Sequence, residues 1–445
     1  MKIPEILLVE SQHKAGSLAK ILQVIGDCGL VVENLDAVRR DQDKTIWEIT
    51  LEMDEDAYVN VGEKIAALPN ARMLGKSDRV FNRHLGGKIR TVSRLPIETL
   101  QELRDIYTPG VARVCLAIQK DPALAAQYTA RQNTVAIITN GSAILGLGNI
   151  GPVAGLPVME GKAALLAKLA DLSGVPILLD DNDPEHMIDV IVSIAPSFGA
   201  IQLEDVAAPG CFRIESALRE RLDIPVLHDD QHGTAVVTLA ALISATRRVG
   251  RSLKDCVVGQ IGLGAAGIGI SRLLMGYGVR DVMGADLNES AKEMLADMGG
   301  RGASLDELMR QADIVVATTG VKGLIKPEMV REGQLILALS NPDPEIEPRV
   351  ALAQGAAFAA DGKSINNVLG FPGLFRGALD AGAREITDAM LFAAAETLAL
   401  IAPDNELVPD PLNLDVHKAV AEAVAFAAKH GITPDDDEEA TAEEE

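Results

Sequence analysis

Two pairs of adjacent acids stand in apolar surroundings. Glu204 and Asp205 occur in IQLEDVAAPGCFRIE, and Asp229 and Asp230 in IPVLHDDQHGTAVV, about 25 residues on. Taken singly, each reads as a solvated surface acid. The apolar flanks AIQL (200–203) and IPVL (224–227) make a plain surface a poor fit. Glu204, Asp205 and Asp230 each fall at or just after a predicted strand, where an open α/β sheet keeps its ligand crevice. Carboxylates gathered there repel one another unless protons or a cation neutralise them. An oxygen-only set suits Mg²⁺ or Mn²⁺. His228 and His232 flank the second pair, as hydrogen-bonding neighbours before nitrogen ligands. Upstream, Tyr107 in YTPGVA and Lys162 in PVMEGKA lie among glycine and proline. Alone, either is an ordinary packing residue. Beside a metal site, a lysine of lowered pKa can act as a base and a tyrosine can return a proton.

Two GxGxxG stretches are present. In the first, 146–151 (GLGNIG), Pro152 follows the last glycine, and 153–157 is expected to delay the next helix. A phosphate-binding turn needs its helix to start at the loop, so that free N–H groups face the pyrophosphate. The first stretch therefore reads as a structural or substrate-side turn. The second, Gly262-Leu263-Gly264-Ala265-Ala266-Gly267, follows the strand CVVGQIG and opens directly into an apolar helix. Asp286 ends the next predicted strand, and no Arg or Lys lies in 287–290. A carboxylate there accepts ribose hydroxyls and repels a 2′-phosphate, which favours NAD over NADP. Metal-assisted redox chemistry on a small oxyacid is the reading these groups share.

The elements that would hold them fall into three blocks. Residues 1–88 read as βαββαβ, a ferredoxin-like order. Strand ILLVES, a helix over 16–25, strands VVENLDAVRRD and TIWEITLEM, a helix over 56–68 and a last strand ARMLGKSDRVF succeed one another. Residues 89–228 open with a helical stretch over 96–106. Strand TVAIITN, helix AALLAKLADLSG, strand VPILLD and further αβ units carrying IVSIA and AIQLED follow. Residues 229–432 place strands CVVGQIG, VRDVMGADL, ADIVVATTG and GQLILALSNP around helices, and end in the Ala-rich VAEAVAFAAKHG, expected to pack back on the body. The fold class is α/β: a doubly wound nucleotide-binding domain, an α/β substrate domain, and the small ferredoxin-like unit before them. Residues 433–445 form an acidic tail, expected to be disordered.

Composition excludes several function classes. The 445 residues carry a formal charge of −23, and eight negatives lie in 435–445. The remainder is still acidic, which argues against nucleic acid or an anionic membrane as a partner. No segment approaches the ~20 apolar residues of a membrane span, and the N-terminus lacks a signal-peptide pattern. Four scattered cysteines without a CxxC pair suit a reduced, cytoplasmic setting.

YTPGVA, LGLGNIGP, PVMEGKAALL, IQLEDVAAPGCFRIE, HDDQHGTA, GLGAAG, LSNPDPEI and NNVLGFPGLFRGALD occur in this order. Together they resemble the malic enzyme family in its shorter bacterial form, over residues 90–430. The N-terminal block resembles the ACT domain, a module that often binds amino acids between paired copies. There, 14–18 (KAGSL) matches the glycine turn beside the ligand. The bland alternative is a dimerisation module without a ligand. The family resemblance implies oxidative decarboxylation of L-malate to pyruvate and CO₂, with NAD and Mg²⁺ or Mn²⁺. It implies Lys162 as base, Tyr107 as acid, Glu204, Asp205 and Asp230 as metal ligands, and Asp229 as a proton-handling neighbour. Lys162 and Asp229 both stay open as first proton acceptor. Asn341 and Asn367 would bind substrate, Asn341 also the nicotinamide. Larger members carry an arginine for the substrate carboxylate just before LGLG, and Ala143 stands there here. The ACT resemblance further implies a homodimer or larger homo-oligomer, with an amino-acid effector. Alternatives are a malolactic-type enzyme (lactate, no net NADH), a substituted malate as substrate, and a non-catalytic amino-acid sensor.

Overall fold

A computed structural model describes residues 2–54, 60–76, 79–144, 146–341, 343–363, 365 and 367–431. The acidic tail, and the first part of the helix expected over 56–68, lie outside the described residues. The chain divides into two compact units, Met1–Lys88 and Ile89–Glu445.

In the first unit, β1 (Lys2–Gln12), β2 (Val31–Arg40), β3 (Lys44–Asp54) and β4 (Ala71–Lys76) form an antiparallel sheet ordered β2-β3-β1-β4. Helices Ser17–Asp27 and Val61–Ala66 cover one face. Alternation along β1 and β3 sends Leu7, Val9, Ile49 and Leu51 to that face, against Ile21, Ile25, Val61 and Ile65. The last strand is shorter than its sequence suggests. It ends at Lys76, opposite Leu7, and Arg79–His84 is helical. SDRVF lacks the period-2 pattern that would extend the ladder.

The second unit holds two parallel sheets. β5 (Thr134–Thr139), β6 (Ser173–Leu178), β7 (Ala200–Leu203) and β8 (Val226–His228) are ordered β6-β5-β7-β8. β9 (Val257–Ile261), β10 (Asp281–Ala285), β11 (Arg301–Gly302), β12 (Ile314–Ala317), β13 (Leu335–Ala338) and β14 (Phe358–Asp361) are ordered β11-β10-β9-β12-β13-β14. With β9 counted first, this is the 3-2-1-4-5-6 order of a doubly wound dinucleotide-binding sheet, whose crevice opens where the order reverses. β12 and β13 are buried throughout, as strands covered on both faces must be.

One apolar cluster runs through both sheets. Val135 and Ile137 of β5, Val236 and Leu239 of helix Asp229–Arg248, and Val258 of β9 belong to it. So do Phe371, Phe375 and Val420 from helices Phe371–Ala381 and Leu414–His430, and the C-terminal helix does pack on the body. Helices Leu100–Ile106, Val111–Lys120 and Leu124–Tyr128 bury no residue, and Leu100, Leu103 and Leu116 are exposed. The first of these starts later than 96, at a Thr99–Glu102 capping box. Among the described residues, no helix is long and apolar enough to cross a membrane.

Candidate active site

Lys162 sits on helix Pro152–Ala170. This helix starts at Pro152, not after a broken stretch at 153–157. A proline in the first turn has no N–H to lose and its φ is already helical, so Pro152 opens the helix rather than blocking it. Pro157 lies within the helix. The 146–151 turn thus leads directly into the helix that carries Lys162, about three turns further along.

Glu204 and Asp205 follow β7, and Asp229 and Asp230 begin the helix that leaves β8. β7 and β8 are neighbours, so the four acids converge at one sheet end. Carboxylate oxygens of Glu204, Asp205 and Asp230 lie within 4.8 Å of one another. Asp205 adopts φ 54°, a left-handed conformation that costs a non-glycine residue ~1–3 kcal/mol. In that pose its N–H donates to Asp230 Oδ2 at 2.9 Å, and His228 Nε2 approaches the same oxygen at 3.1 Å. The tightly held Oδ2 leaves the other oxygen of Asp230 for a ligand. A trio of oxygen donors, Glu204 and Asp205 buried and Asp230 half-buried, fits a small hard divalent cation.

Lys162 Nζ donates to Asp229 Oδ2 at 2.5 Å and lies 3.1 Å from Glu204 Oε1. The ammonium also stands 4.6 Å from the centroid of the Phe371 ring. Burial opposes its charge, but the carboxylates of Asp229 and Glu204 outweigh burial and hold Lys162 protonated beyond the usual range. Burial pushes Glu204 well above the ordinary carboxyl range, and Lys162 only partly offsets it. Burial likewise raises Asp229 against the pull of Lys162. Asp230 goes the other way: the hydrogen bond and charge of His228 overcome burial and lower it. Lys162 and His228 offset part of the negative charge that the four acids bring together.

Asn367 Nδ2 donates to Asp229 Oδ2 at 3.0 Å, so buried Lys162 and Asp229 and half-buried Asn367 form one hydrogen-bonded set. Asn341 stands beyond the end of β13, where its amide donates to Gly362 O at 3.3 Å. Tyr107 is not brought to Lys162 by its own chain in any described contact. It caps Leu100–Ile106 and is 67% exposed.

Sequence reasoning missed the support beneath the acids. Glu215 is buried and accepts from the His228 N–H at 3.0 Å, Gln231 Nε2 at 3.0 Å and His232 Nε2 at 3.0 Å. Burial works to raise it, yet His232 and His228 together lower it to about 2. Gln231 also meets His228 Nδ1 at 2.9 Å. His228 and His232 are thus hydrogen-bonding neighbours. Gly233 was missed too: a Cβ there would lie 2.0 Å from Asp229 Oδ1. The unbroken polar run HDDQHG between apolar flanks was the available signal.

The second glycine turn joins β9 to helix Ala265–Gly276. Gly262 has φ 87°, and a Cβ on Gly267 would meet Gly262 O at 1.9 Å, so strand end and helix start touch backbone to backbone. A Cβ on Gly264 would meet nothing within 4 Å, which leaves open space at the helix N-terminus. Ala265 and Ala266 open that helix. Asp286, after β10, accepts the Leu263 N–H at 2.7 Å and is tied to the turn. This cradle fits a dinucleotide pyrophosphate.

Residues 86–188 match the family description "Malic enzyme, N-terminal domain", and residues 358–429 match "Malic enzyme, NAD binding domain". Residues 228–326 match the NAD binding domain of D-isomer specific 2-hydroxyacid dehydrogenases. The NAD-dependent malic enzyme 1 of Bacillus subtilis is 53% identical over 95% of this chain and 97% of its own length. A bifunctional malic/malolactic enzyme of the same organism is 40% identical over 77% of this chain and 90% of its own. The malic enzyme crystal structure from Pyrococcus horikoshii superposes with a TM-score of 0.74 at 40% identity, covering 78% of this chain and 88% of that one. The chain belongs to the malic enzyme family.

Proposed function

We propose that this protein oxidises L-malate with NAD and releases pyruvate and CO₂. The observation that carries the reading is Lys162 Nζ between Asp229 and Glu204, beside the acid trio. Glu204, Asp205 and Asp230 would hold Mg²⁺ or Mn²⁺, which supplies positive charge to the malate C2 oxygen, while NAD in the 262–267 cradle supplies a hydride acceptor. Lys162 donates to Asp229 at 2.5 Å, and this pair would take the proton of the C2 hydroxyl. Asp229 and Glu204 hold Lys162 protonated, and a divalent cation on the trio would weaken that attraction and favour the free amine that can accept a proton. Asn367 holds Asp229 by its amide, and Asn341, beyond the end of β13, would bind substrate and nicotinamide. Tyr107 returns a proton to the enol carbon. Its exposure on a segment without buried residues supports delivery by a second copy of the chain in a homo-oligomer.

The test is absorbance at 340 nm with L-malate, NAD⁺ and Mn²⁺, with pyruvate and lactate assayed in parallel. NADH and pyruvate rise together under this reading and stop with chelator. Lactate without NADH moves the chain to malolactic chemistry, the second reading, which the 40% identity to a bifunctional relative supports. Neither product would sink malate as substrate.

The first unit has the strand order of an ACT domain, and its Gly16 turn, at φ 82°, has open space where a Cβ would stand. An amino-acid effector bound at this turn between paired copies is the regulatory part of the proposal.

A further inference from the structure

Glu345 lies fully buried in LSNPDPEI. A buried carboxylate is costly unless hydrogen bonds satisfy it, and here they gather on one oxygen. Its Oε1 accepts from the Thr319 N–H at 2.6 Å, the Thr319 hydroxyl at 2.8 Å and the Ser340 hydroxyl at 2.5 Å. The Ser340 N–H approaches its Oε2 at 3.5 Å, and Ser340 Oγ accepts from the Gly320 N–H at 2.8 Å. The backbone continues the seam, with Ile325 N–H donating to Glu345 O at 3.1 Å. Thr319 follows β12 and Ser340 follows β13, so one carboxylate ties together the loops at two strand C-terminal ends.

The tie reaches the glycine turn. A Cβ on Gly262 would stand 2.8 Å from Thr318 O and 3.0 Å from Thr319 Cγ2, so the turn rests on this loop. Gln260 Nε2 bridges Thr318 Oγ1 at 2.9 Å and Gly262 O at 3.1 Å. On its other side, Ser340 precedes Asn341. Glu345 therefore sets the separation of the pyrophosphate cradle from Asn341, the two ends of the crevice a dinucleotide must span.

We propose that Glu345 is a positioning residue for NAD, fixing the 318–320 and 339–341 loops against the glycine turn. This rests on NAD occupying that cradle. The test is calorimetric titration of the full-length protein with NAD⁺, alongside thermal unfolding. Glu345→Gln keeps the side-chain volume but turns amide hydrogens toward hydroxyl and N–H donors. It is expected to weaken NAD⁺ binding at least tenfold, and to raise KM for NAD⁺ more than it lowers kcat. Gln334→Leu is the structural control. Gln334 is equally buried and bonds Met309 O and Ala312 O just before β13, at the opposite end of that strand. It should lower Tm and leave NAD⁺ affinity within twofold of the parent. Glu345→Gln binding within twofold of the parent, or equal weakening in both variants, overturns the proposal. Should Glu345→Gln fail to fold, Thr319→Val combined with Ser340→Ala removes both hydroxyl donors and is judged by the same criterion. An unaltered protein that takes no NAD⁺ overturns the cofactor reading itself.

Discussion

Asp229 shows how closely single atoms are fitted in this site. Its Oδ2 is engaged by Lys162 and Asn367, and its Oδ1 lies where a side chain at 233 would begin. Gly233→Ala should displace the carboxylate and cut kcat by roughly 10²-fold, the loss expected of a misplacement near 1 Å. Circular dichroism should stay unchanged; full turnover in this variant would refute the fit. Glu215 is a case of charge stored for stability. Its drop from 4.5 to about 2 corresponds to roughly 3 kcal/mol. Because the folded value is the lower one, that contribution is complete above pH 4.5 and disappears as pH falls toward 2. Glu215→Gln should therefore show its largest Tm deficit near neutrality, shrinking in acid. An equal deficit at pH 3 and pH 7 would contradict this account. The acids and Lys162 were legible as candidates because their types and surroundings are local properties of the sequence, whereas Asn367 entered only through the family resemblance. Glu215 was not, since its partners stand 13 to 17 residues away on the next strand and helix.

At the level of elements, the cofactor cradle was readable because strand, turn and helix are contiguous in the chain. Gly267→Ala places a methyl against Gly262 O and should weaken NAD⁺ binding by tenfold or more while leaving the other sheet intact. Unchanged affinity, measured by titration, would show that the turn yields. Element ends were less readable. Helix Pro152–Ala170 begins on a residue that sequence logic treats as a breaker, since position decides whether a missing N–H matters. β14, FAAD, is short and built of small residues, so only its pairing with β13 makes it a strand. Helices Leu100–Ile106 and Val111–Lys120 were hard to place for a different reason: the described residues bury none of their side chains fully.

For the whole molecule, the two compact units give a separable expectation. Removing residues 1–88 should abolish any amino-acid effect on rate and preserve malate turnover; a surviving effect would place the effector site elsewhere. Mixing Lys162→Ala with Tyr107→Phe chains, each inactive alone, should restore part of the activity if a second copy delivers the tyrosine. No recovery after co-refolding would reject that arrangement. Helix Asp229–Arg248 carries a further consequence. It holds Asp229 and Asp230 at one end, and a Cβ on Gly269 of the helix behind the glycine turn would meet Gln231 O at 2.6 Å. Substrate groups and cofactor cradle are thus mounted on one beam. The chain has a natural recombination seam after Arg248, and none at the boundary before Asp229. Chimeras exchanging cofactor preference between relatives should keep their function when joined beyond the helix, and lose it when the join parts the acid pair from β8.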